Sequence, residues 1–193
     1  MRQRTPSYAK VAGFSLIEMM IALVLGLIVI GAVLGLVLSI MRSNNQTIQA
    51  TRLSQELRAT AAVIAADLRR AGGVIDPLTT ATAAGGNPFK DITVLNAGTT
   101  GCIRYGYANA TGGNFHAISR SGNAVFLDAD NDAANATCGG GQRLSSPFAT
   151  IENLTFVVTG RRIDVTLQGS LQSDASIRRS LTQTVFVRSI GGS

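Results

Sequence analysis

The chain has 193 residues, of which 46% are hydrophobic and 5% aromatic, and this size and composition fit one membrane segment plus one modest domain. It carries 17 lysines and arginines against 11 acidic residues and contains no tryptophan. So small a positive excess, with so few aromatic side chains, makes nucleic acid an unexpected partner.

The N-terminal stretch is basic and is followed by a long apolar run. Arg2, Arg4 and Lys10 precede Phe14 with no acidic residue among them, and the 23 residues Met19–Met41 carry no charge. As a helix this run would be about 34 Å long, enough for a hydrocarbon core of about 30 Å. It is longer than a secretory signal core, and no A-x-A site closes it. We therefore expect a retained membrane helix, with its basic start in the cytoplasm and the rest of the chain on the other side.

A single carboxylate, Glu18, stands at the front edge of this run. A charge inside a membrane helix costs on the order of 3 kcal/mol, and less near the helix end. The helix macrodipole favours an acid in the first turn. A nearby cation would stabilise the carboxylate further, and cleavage between Gly13 and Phe14 would create one, the new α-amino group, on the same chain or on a neighbour.

The stretch Gly13-Phe14-Ser15-Leu16-Ile17-Glu18, after a basic leader and before an apolar helix, resembles the processing signature of type IV prepilins and type II secretion pseudopilins. The resemblance implies a leader, residues 1–13, that a membrane peptidase removes before it methylates Phe14. It also implies that Glu18 meets the N-terminus of an adjacent subunit during assembly. The alternative is a bitopic protein with an incidental glutamate.

Beyond the apolar run, which we take as residues 14–41, the pattern is that of an amphipathic helix over residues 42–71. One apolar stripe recurs at intervals of three and four residues, as a half-buried helix requires: Leu53, Leu57, Ala61, Ile64 and Leu68. Gly72 and Gly73 supply a C-terminal stop. The segment Asp67-Leu68-Arg69-Arg70-Ala71-Gly72 resembles the helix end of PilW-like minor pilins and, more loosely, of J-type minor pseudopilins.

Residues 72–193 are predicted to form a globular head rich in β-strands, after a loop over residues 72–90. The predicted strands are Ile92–Asn96, Cys102–Tyr107, Phe115–Arg120, Ala124–Leu127, Ile151–Thr159, Arg162–Gln168 and Leu181–Ser189. A long N-terminal helix whose amphipathic half packs on an antiparallel sheet gives an α+β, pilin-like fold.

The two cysteines, Cys102 and Cys138, both follow the apolar run and so lie in one compartment, which the predicted orientation makes an oxidising one. We expect a disulfide between them, stabilising by about 4 kcal/mol in the chain-entropy model. The alternative is two buried thiols.

Acidic residues recur at alternate positions in Asp128, Asp130 and Asp132. Carboxylates can converge on Ca²⁺, which takes six to eight oxygen ligands. An EF-hand-like loop would need Gly and Glu where Ala133 and Gly139 stand. A solvated acidic turn is therefore the alternative to a calcium site, and no other cofactor is expected.

Catalysis is not expected, because the single histidine, His116, has no second histidine or cysteine near it in the sequence and no nucleophile or phosphate-loop motif occurs. His116 is expected to be a surface or hydrogen-bonded polar residue. The basic pairs Arg161-Arg162 and Arg178-Arg179 are interpreted as solvated surface, with an anionic partner as the alternative.

We expect a structural minor pilin that helps to initiate or cap a type IV pilus, with a minor pseudopilin of type II secretion as the alternative and a membrane-tethered binding module as a third. The partners implied by the resemblance are other major and minor pilins and the prepilin peptidase and N-methyltransferase. The implied location is the inner membrane, with the head in the periplasm, and then the filament or its tip at the cell surface.

Overall fold

The structure is a computed structural model that describes residue 13 and residues 15–76 and 86–188. The chain divides into two compact units, residues 1–45 and residues 46–193. Helix α1 (Leu16–Leu68) accounts for the described structure of the first unit and supplies the first element of the second.

In the first unit, helix α1 is apolar on every side and buries nothing. The carbonyl of Ser15 accepts the N–H groups of Glu18 and Met19 at 3.1 and 3.2 Å, which starts the helix. Every described residue of this unit is exposed, and α1 contains a stretch long and apolar enough to cross a membrane. A surface of this kind is stable only against lipid or against other apolar helices.

In the second unit, α1 is amphipathic and packs on a sheet. The stripe predicted from the sequence is confirmed, because all five of its side chains are at most 2% exposed. These residues are Leu53, Leu57, Ala61, Ile64 and Leu68. The sheet comes close to the helix at Gly169, where a Cβ would lie 3.3 Å from Leu57 Cδ2 and 2.8 Å from the carbonyl oxygen of Thr150.

Within the described residues 86–188 the sheet has eight strands: β1 (Thr93–Ala97), β2 (Thr100–Gly106), β3 (Phe115–Ser121), β4 (Ala124–Asp130), β5 (Gln142–Arg143), β6 (Ala149–Thr159), β7 (Arg162–Leu171) and β8 (Arg178–Phe186). Their order is β5-β4-β3-β2-β6-β7-β8, with β1 paired to β2 outside this path. The fold is therefore the expected α+β arrangement of a helix on a sheet.

Most strand pairs are antiparallel hairpins, and their side chains alternate between a helix-facing and an outward face. On β7, for example, Ile163, Val165 and Leu167 are buried, whereas Asp164 and Thr166 between them are partly exposed. The core between α1 and the sheet is thus built from alternate residues of each strand, as the period-two pattern of the sequence predicts.

One boundary in the sheet departs from this scheme. Strands β2 and β6 pair in parallel, and the ladder consists of a single residue pair, Thr100 and Leu154. Side chains supply further bonds across it: Asn96 Nδ2 donates to the carbonyl of Phe156 at 2.7 Å, and Arg120 Nε donates to the carbonyl of Ile151 at 2.8 Å. A Cβ at Gly101 would collide with the carbonyl of Leu154, so the close approach needs glycine there.

The structure differs from the sequence-based fold in several details, among them the last strand, which is Arg178–Phe186 rather than Leu181–Ser189. Strand β5 was not predicted, since two polar residues carry no strand pattern. The pairing is not wholly antiparallel, because of the parallel contact between β2 and β6. Strand β4 continues to Asp130 rather than ending at Leu127, because its register with β3 extends to the pair Phe115–Asp130.

Candidate functional site

The predicted processing and assembly residues lie at the start of the chain. Gly13 is exposed, and Phe14 lies outside the described residues. Glu18 is in the first turn of α1, where partial positive charge from the free N–H groups favours a carboxylate. Among the described residues, no cation lies within ion-pair distance of Glu18, so its carboxylate remains available to a group outside them.

A buried polar cluster holds the other end of α1 against the sheet. Asp67, one residue before the helix ends, accepts hydrogen bonds from the hydroxyls of Tyr105 and Tyr107, the latter at 2.8 Å. His116 Nδ1 lies 3.4 Å from Asp67 Oδ2. Tyr105, Tyr107 and His116 are 3%, 3% and 5% exposed. The aspartate therefore ties the helix to β2, to the residue that follows β2, and to β3.

Aromatic stacking fixes the geometry of this cluster. The ring of His116 is stacked on that of Tyr107, with centroids 4.3 Å apart, and on that of Tyr105 at 5.5 Å. The guanidinium of Arg70 lies over the Tyr107 ring, 4.2 Å from its centroid, in cation–π contact. Helix end, strands and aromatic rings thus form one packed unit, which we call the helix-end cluster.

The sequence motif at the end of α1 now has a physical explanation. Asp67 binds the tyrosine hydroxyls, Arg70 covers the Tyr107 ring, and Ala71 is buried in the core. Gly72 has a φ of 74°, in the left-handed region that favours glycine after a helix. Its N–H donates to the carbonyl of Gly106 at 2.7 Å, which joins the chain after the helix to the end of β2.

The environment of the cluster shifts three pKa values. Burial raises the pKa of the Tyr105 and Tyr107 hydroxyls well above the usual value of 10, and the charge of Asp67 and the hydrogen bonds to it raise both further. Burial lowers the pKa of His116, and the attraction of Asp67 offsets this only in part. His116 is therefore a buried ring that favours its neutral form, not a surface residue, and the Asp67 carboxylate and the Gly113 backbone lie beside it.

The predicted disulfide is present between Cys102 and Cys138, whose Cα atoms are 5.9 Å apart. It fastens residues 131–141, which connect β4 to β5, to strand β2. Further bonds hold the same connection: Gly139 N–H donates to Ser119 Oγ at 2.7 Å, and the Arg104 guanidinium donates to the carbonyl of Ala133. The connection is therefore anchored to the sheet at several points along its length.

The structure does not bring the three acidic residues of the expected calcium site together. Asp128 and Asp130 lie on strand β4, where alternate residues are about 7 Å apart, and only Asp132 is in the following loop. Asp128 accepts the N–H of Thr137, Asp130 that of Asp132, and Asp132 that of Ala134, each at 2.9 Å. Within the described residues no group of three or more His, Cys, Asp or Glu side chains is placed to hold a metal ion. The three carboxylates therefore serve as acceptors for backbone N–H groups of the connection after β4, and calcium binding stays a prediction.

We predict that Asp67→Ala lowers the free energy of unfolding by about 2 to 4 kcal/mol, because two buried tyrosine hydroxyls lose their acceptor. Urea unfolding of the full chain in detergent, followed by near-ultraviolet circular dichroism of the tyrosines, measures this. The control is Asp164→Ala, which removes an exposed carboxylate paired with Arg162 at 2.6 Å and should cost about 1 kcal/mol or less. Equal losses in the two variants would contradict the role assigned to Asp67.

We also predict that acidification weakens the head through His116, the one histidine of the chain. Because its folded pKa is lowered, the unfolded chain binds the proton first. Stability is then complete above pH about 6.5 and falls as the pH drops below it, by at most about 1.4 kcal/mol per pH unit. Unfolding between pH 7.5 and 5 should show this slope in the natural chain and not in His116→Gln. A gain in stability on acidification would mean that the Asp67–His116 attraction outweighs burial.

Comparison with known protein families gives two matches. The model of prepilin peptidase-dependent protein B matches residues 46–187, nearly the whole second unit. The prokaryotic N-terminal methylation motif matches residues 8–40, which include Gly13, Phe14 and Glu18. No curated protein and no solved structure matches the chain. The apolar part of α1 together with this motif fits membrane anchoring before assembly, and pilin-like families are structural rather than catalytic. The chain belongs to the prepilin peptidase-dependent protein B family, a pilin-like or pseudopilin-like group whose N-terminal motif is a signal for processing by prepilin peptidase.

Proposed function

We propose that the protein is a minor pilin of a type IV pilus, cleaved after Gly13, methylated on Phe14 and inserted through α1 among the helices of neighbouring subunits, where it helps to initiate or cap the filament. The observation that carries this proposal is the lone carboxylate of Glu18 at the start of a helix that is exposed and uncharged from Met19 to Met41. Lipid acyl chains can cover the apolar surface, but they offer the carboxylate no cation.

Assembly would supply the cation that the Glu18 carboxylate lacks in a single chain. Cleavage after Gly13 places an ammonium group on Phe14, four residues before Glu18, on each mature chain, and the charge on one subunit can then meet the opposite charge on the next. In a medium of low dielectric constant such a pair is far stronger than in water. The pair sets the axial register between helices whose remaining contacts are apolar and without preferred register.

The head would then lie in the periplasm before assembly and in the filament or at its tip afterwards. Two observations support a minor pilin: the PilW-like helix end Asp67-x-Arg69-x-Ala71-Gly72 and the contacts that Asp67 makes there. A J-type minor pseudopilin of type II secretion would use the same processing and the same α1. The genes beside this one, and the presence of the protein in sheared surface filaments, separate the two.

We predict that the mature protein begins at Phe14 and carries one added methyl group on its α-amino nitrogen. Mass spectrometry of the N-terminal peptide, from membranes of cells with and without prepilin peptidase, measures this directly. A Gly13→Val variant should keep its leader, because the cleavage site is lost. A mature chain that retains residues 1–13 would refute the proposal.

We further predict that Glu18→Gln is processed and inserted normally but enters filaments at least about tenfold less often, since removing the charge removes the partner of the N-terminal amine. Immunoblots of sheared filaments against membranes give the ratio. The matched control is Met20→Leu, which alters the same apolar helix near the same depth without changing its charge. Incorporation of Glu18→Gln at the level of this control would show that the carboxylate does not set the register.

A further inference from the structure

Strand β8 lies at one end of the sheet order, and among the described residues no strand pairs with its outer edge. Its segment Ser180–Phe186 contains no charge and no proline. Charged side chains, prolines and bulges are the usual protections of an edge strand against pairing with another chain. An unprotected edge of seven residues, about 23 Å long, is therefore a surface prepared for a further strand.

The backbone groups that this edge offers can be identified from the register. Val185 pairs with Ile163, and Val187 N–H donates to the carbonyl of Arg161 at 2.9 Å. Odd-numbered residues of β8 therefore direct their N–H and C=O groups toward β7, since the two directions alternate along an antiparallel strand. The even-numbered residues direct theirs to the open edge. These are Ser180, Thr182, Thr184 and Phe186.

A cleft of about 480 Å³ lies against this edge, lined by Arg69, Thr184, Phe186 and Arg188. Odd-numbered side chains of β8 face the helix, as buried Val185 does, so Thr184 and Phe186 lie on the other face of the sheet. Arg69 directly follows α1 on the helix side. Because its lining residues come from both faces of the sheet, the cleft runs along the open edge of β8. It lies beside the backbone groups that point away from β7.

The charge of this cleft indicates what it binds. Arg69 and Arg188 are exposed, and among the described residues neither has a carboxylate within ion-pair distance. Asp164, which pairs with Thr184 across the sheet, is already bound by Arg162 at 2.6 Å. The ring of Phe186 is 68% exposed and offers an apolar contact between the two free guanidinium groups. The surface suits an extended segment with carboxylates and an apolar side chain.

We propose that the open edge of β8 binds an extended acidic segment of another protein as a ninth strand, with Arg69 and Arg188 holding its carboxylates. Backbone hydrogen bonds to Thr182, Thr184 and Phe186 supply affinity, and the arginines and the Phe186 ring supply selectivity, as in other cases of strand addition. This inference goes beyond the filament role proposed above and does not depend on cleavage after Gly13 or on Glu18.

The test uses the full chain in nonionic detergent and a fluorescent synthetic peptide of alternating threonine and valine with a glutamate at each end. Anisotropy measures binding, and hydrogen exchange reports protection of the Thr182 and Thr184 amides. We expect this peptide to bind and the same peptide with terminal lysines to bind at least about tenfold more weakly. No binding of the glutamate peptide, or equal binding of both, would overturn the proposal.

Two variants separate the backbone contribution from other effects. Thr184→Pro removes an N–H that points to the open edge and no N–H of the β7 ladder, so the sheet is retained while peptide binding should fall about tenfold. Thr184→Val is the matched control, since it also loses the hydroxyl bond to Asp164 but keeps the N–H, and its binding should be unchanged. Equal affinity of the proline and valine variants would exclude strand addition.

A further test reverses the charge of the cleft and leaves the backbone of β8 unchanged. The double variant Arg69→Glu/Arg188→Glu should lose binding of the glutamate peptide and gain binding of the lysine peptide. Lys90→Glu, an exposed charge outside the cleft, should change neither when tested as a control. If light scattering instead finds a dimer that Thr184→Pro dissociates, a second copy of the chain occupies the edge and the acidic partner is wrong.

Discussion

The burial of one apolar stripe of α1 against the sheet is the constraint on which the head depends. The helix cannot leave Leu53, Leu57 and Leu68 in water, and the sheet cannot leave the inner residues of β6 and β7 there. Packing the helix on the sheet removes both sets of side chains from water. Burial of one side chain of this size stabilises the folded state by about 1.5 to 3 kcal/mol. Residues 16–41 of the same helix are mostly apolar and have no such cover. The requirement that the head meets by packing is therefore left unmet along this stretch, where lipid or other apolar helices can meet it.

The helix-end cluster makes this packing specific. An apolar stripe alone tolerates small shifts of a helix along a sheet, because leucines and isoleucines pack without direction. Asp67 must meet two tyrosine hydroxyls, and a displaced helix would leave these hydroxyls buried without their acceptor. The cluster thus fixes where α1 ends relative to β2 and β3. Its cost is a neutral histidine that acid can charge, which links the stability of the helix end to the pH around the head.

Much of this fold could be predicted from the sequence. The spacing of Leu53, Leu57 and Ile64 gave the buried helix face, and alternation in Ile163–Leu167 gave a strand with one face in the core. The N-terminal motif, local and contiguous, identified the processing signal. These features are readable because each depends on residues close in sequence.

What could not be predicted depends on register between distant segments. Tyr105 of β2, Tyr107 just after it and His116 of β3 meet Asp67 only because the pair Tyr105–His116 is aligned across the sheet. Their spacing in the sequence carries no sign of this alignment. The position of Asp128 and Asp130 on a strand was missed for the same reason, since the extension of β4 to Asp130 is set by its register with β3. The uncharged run in β8 is visible in the sequence. Only the strand order shows that this run forms an edge of the sheet.

The single-residue ladder between β2 and β6 has a mechanical consequence. Strands β1–β4 on one side and β6–β8 on the other are joined internally by ladders of five to ten residue pairs. One parallel residue pair, the hydrogen bond from Ile151 N–H to the Asn123 carbonyl and a few side chains join the two blocks. Tension applied across that boundary would part the blocks there before it opened any of these longer ladders. Cys102 and Cys138 both belong to the first block, so the disulfide reinforces that block and does not join it to the second. The helix α1, whose buried stripe packs on both blocks, holds them together.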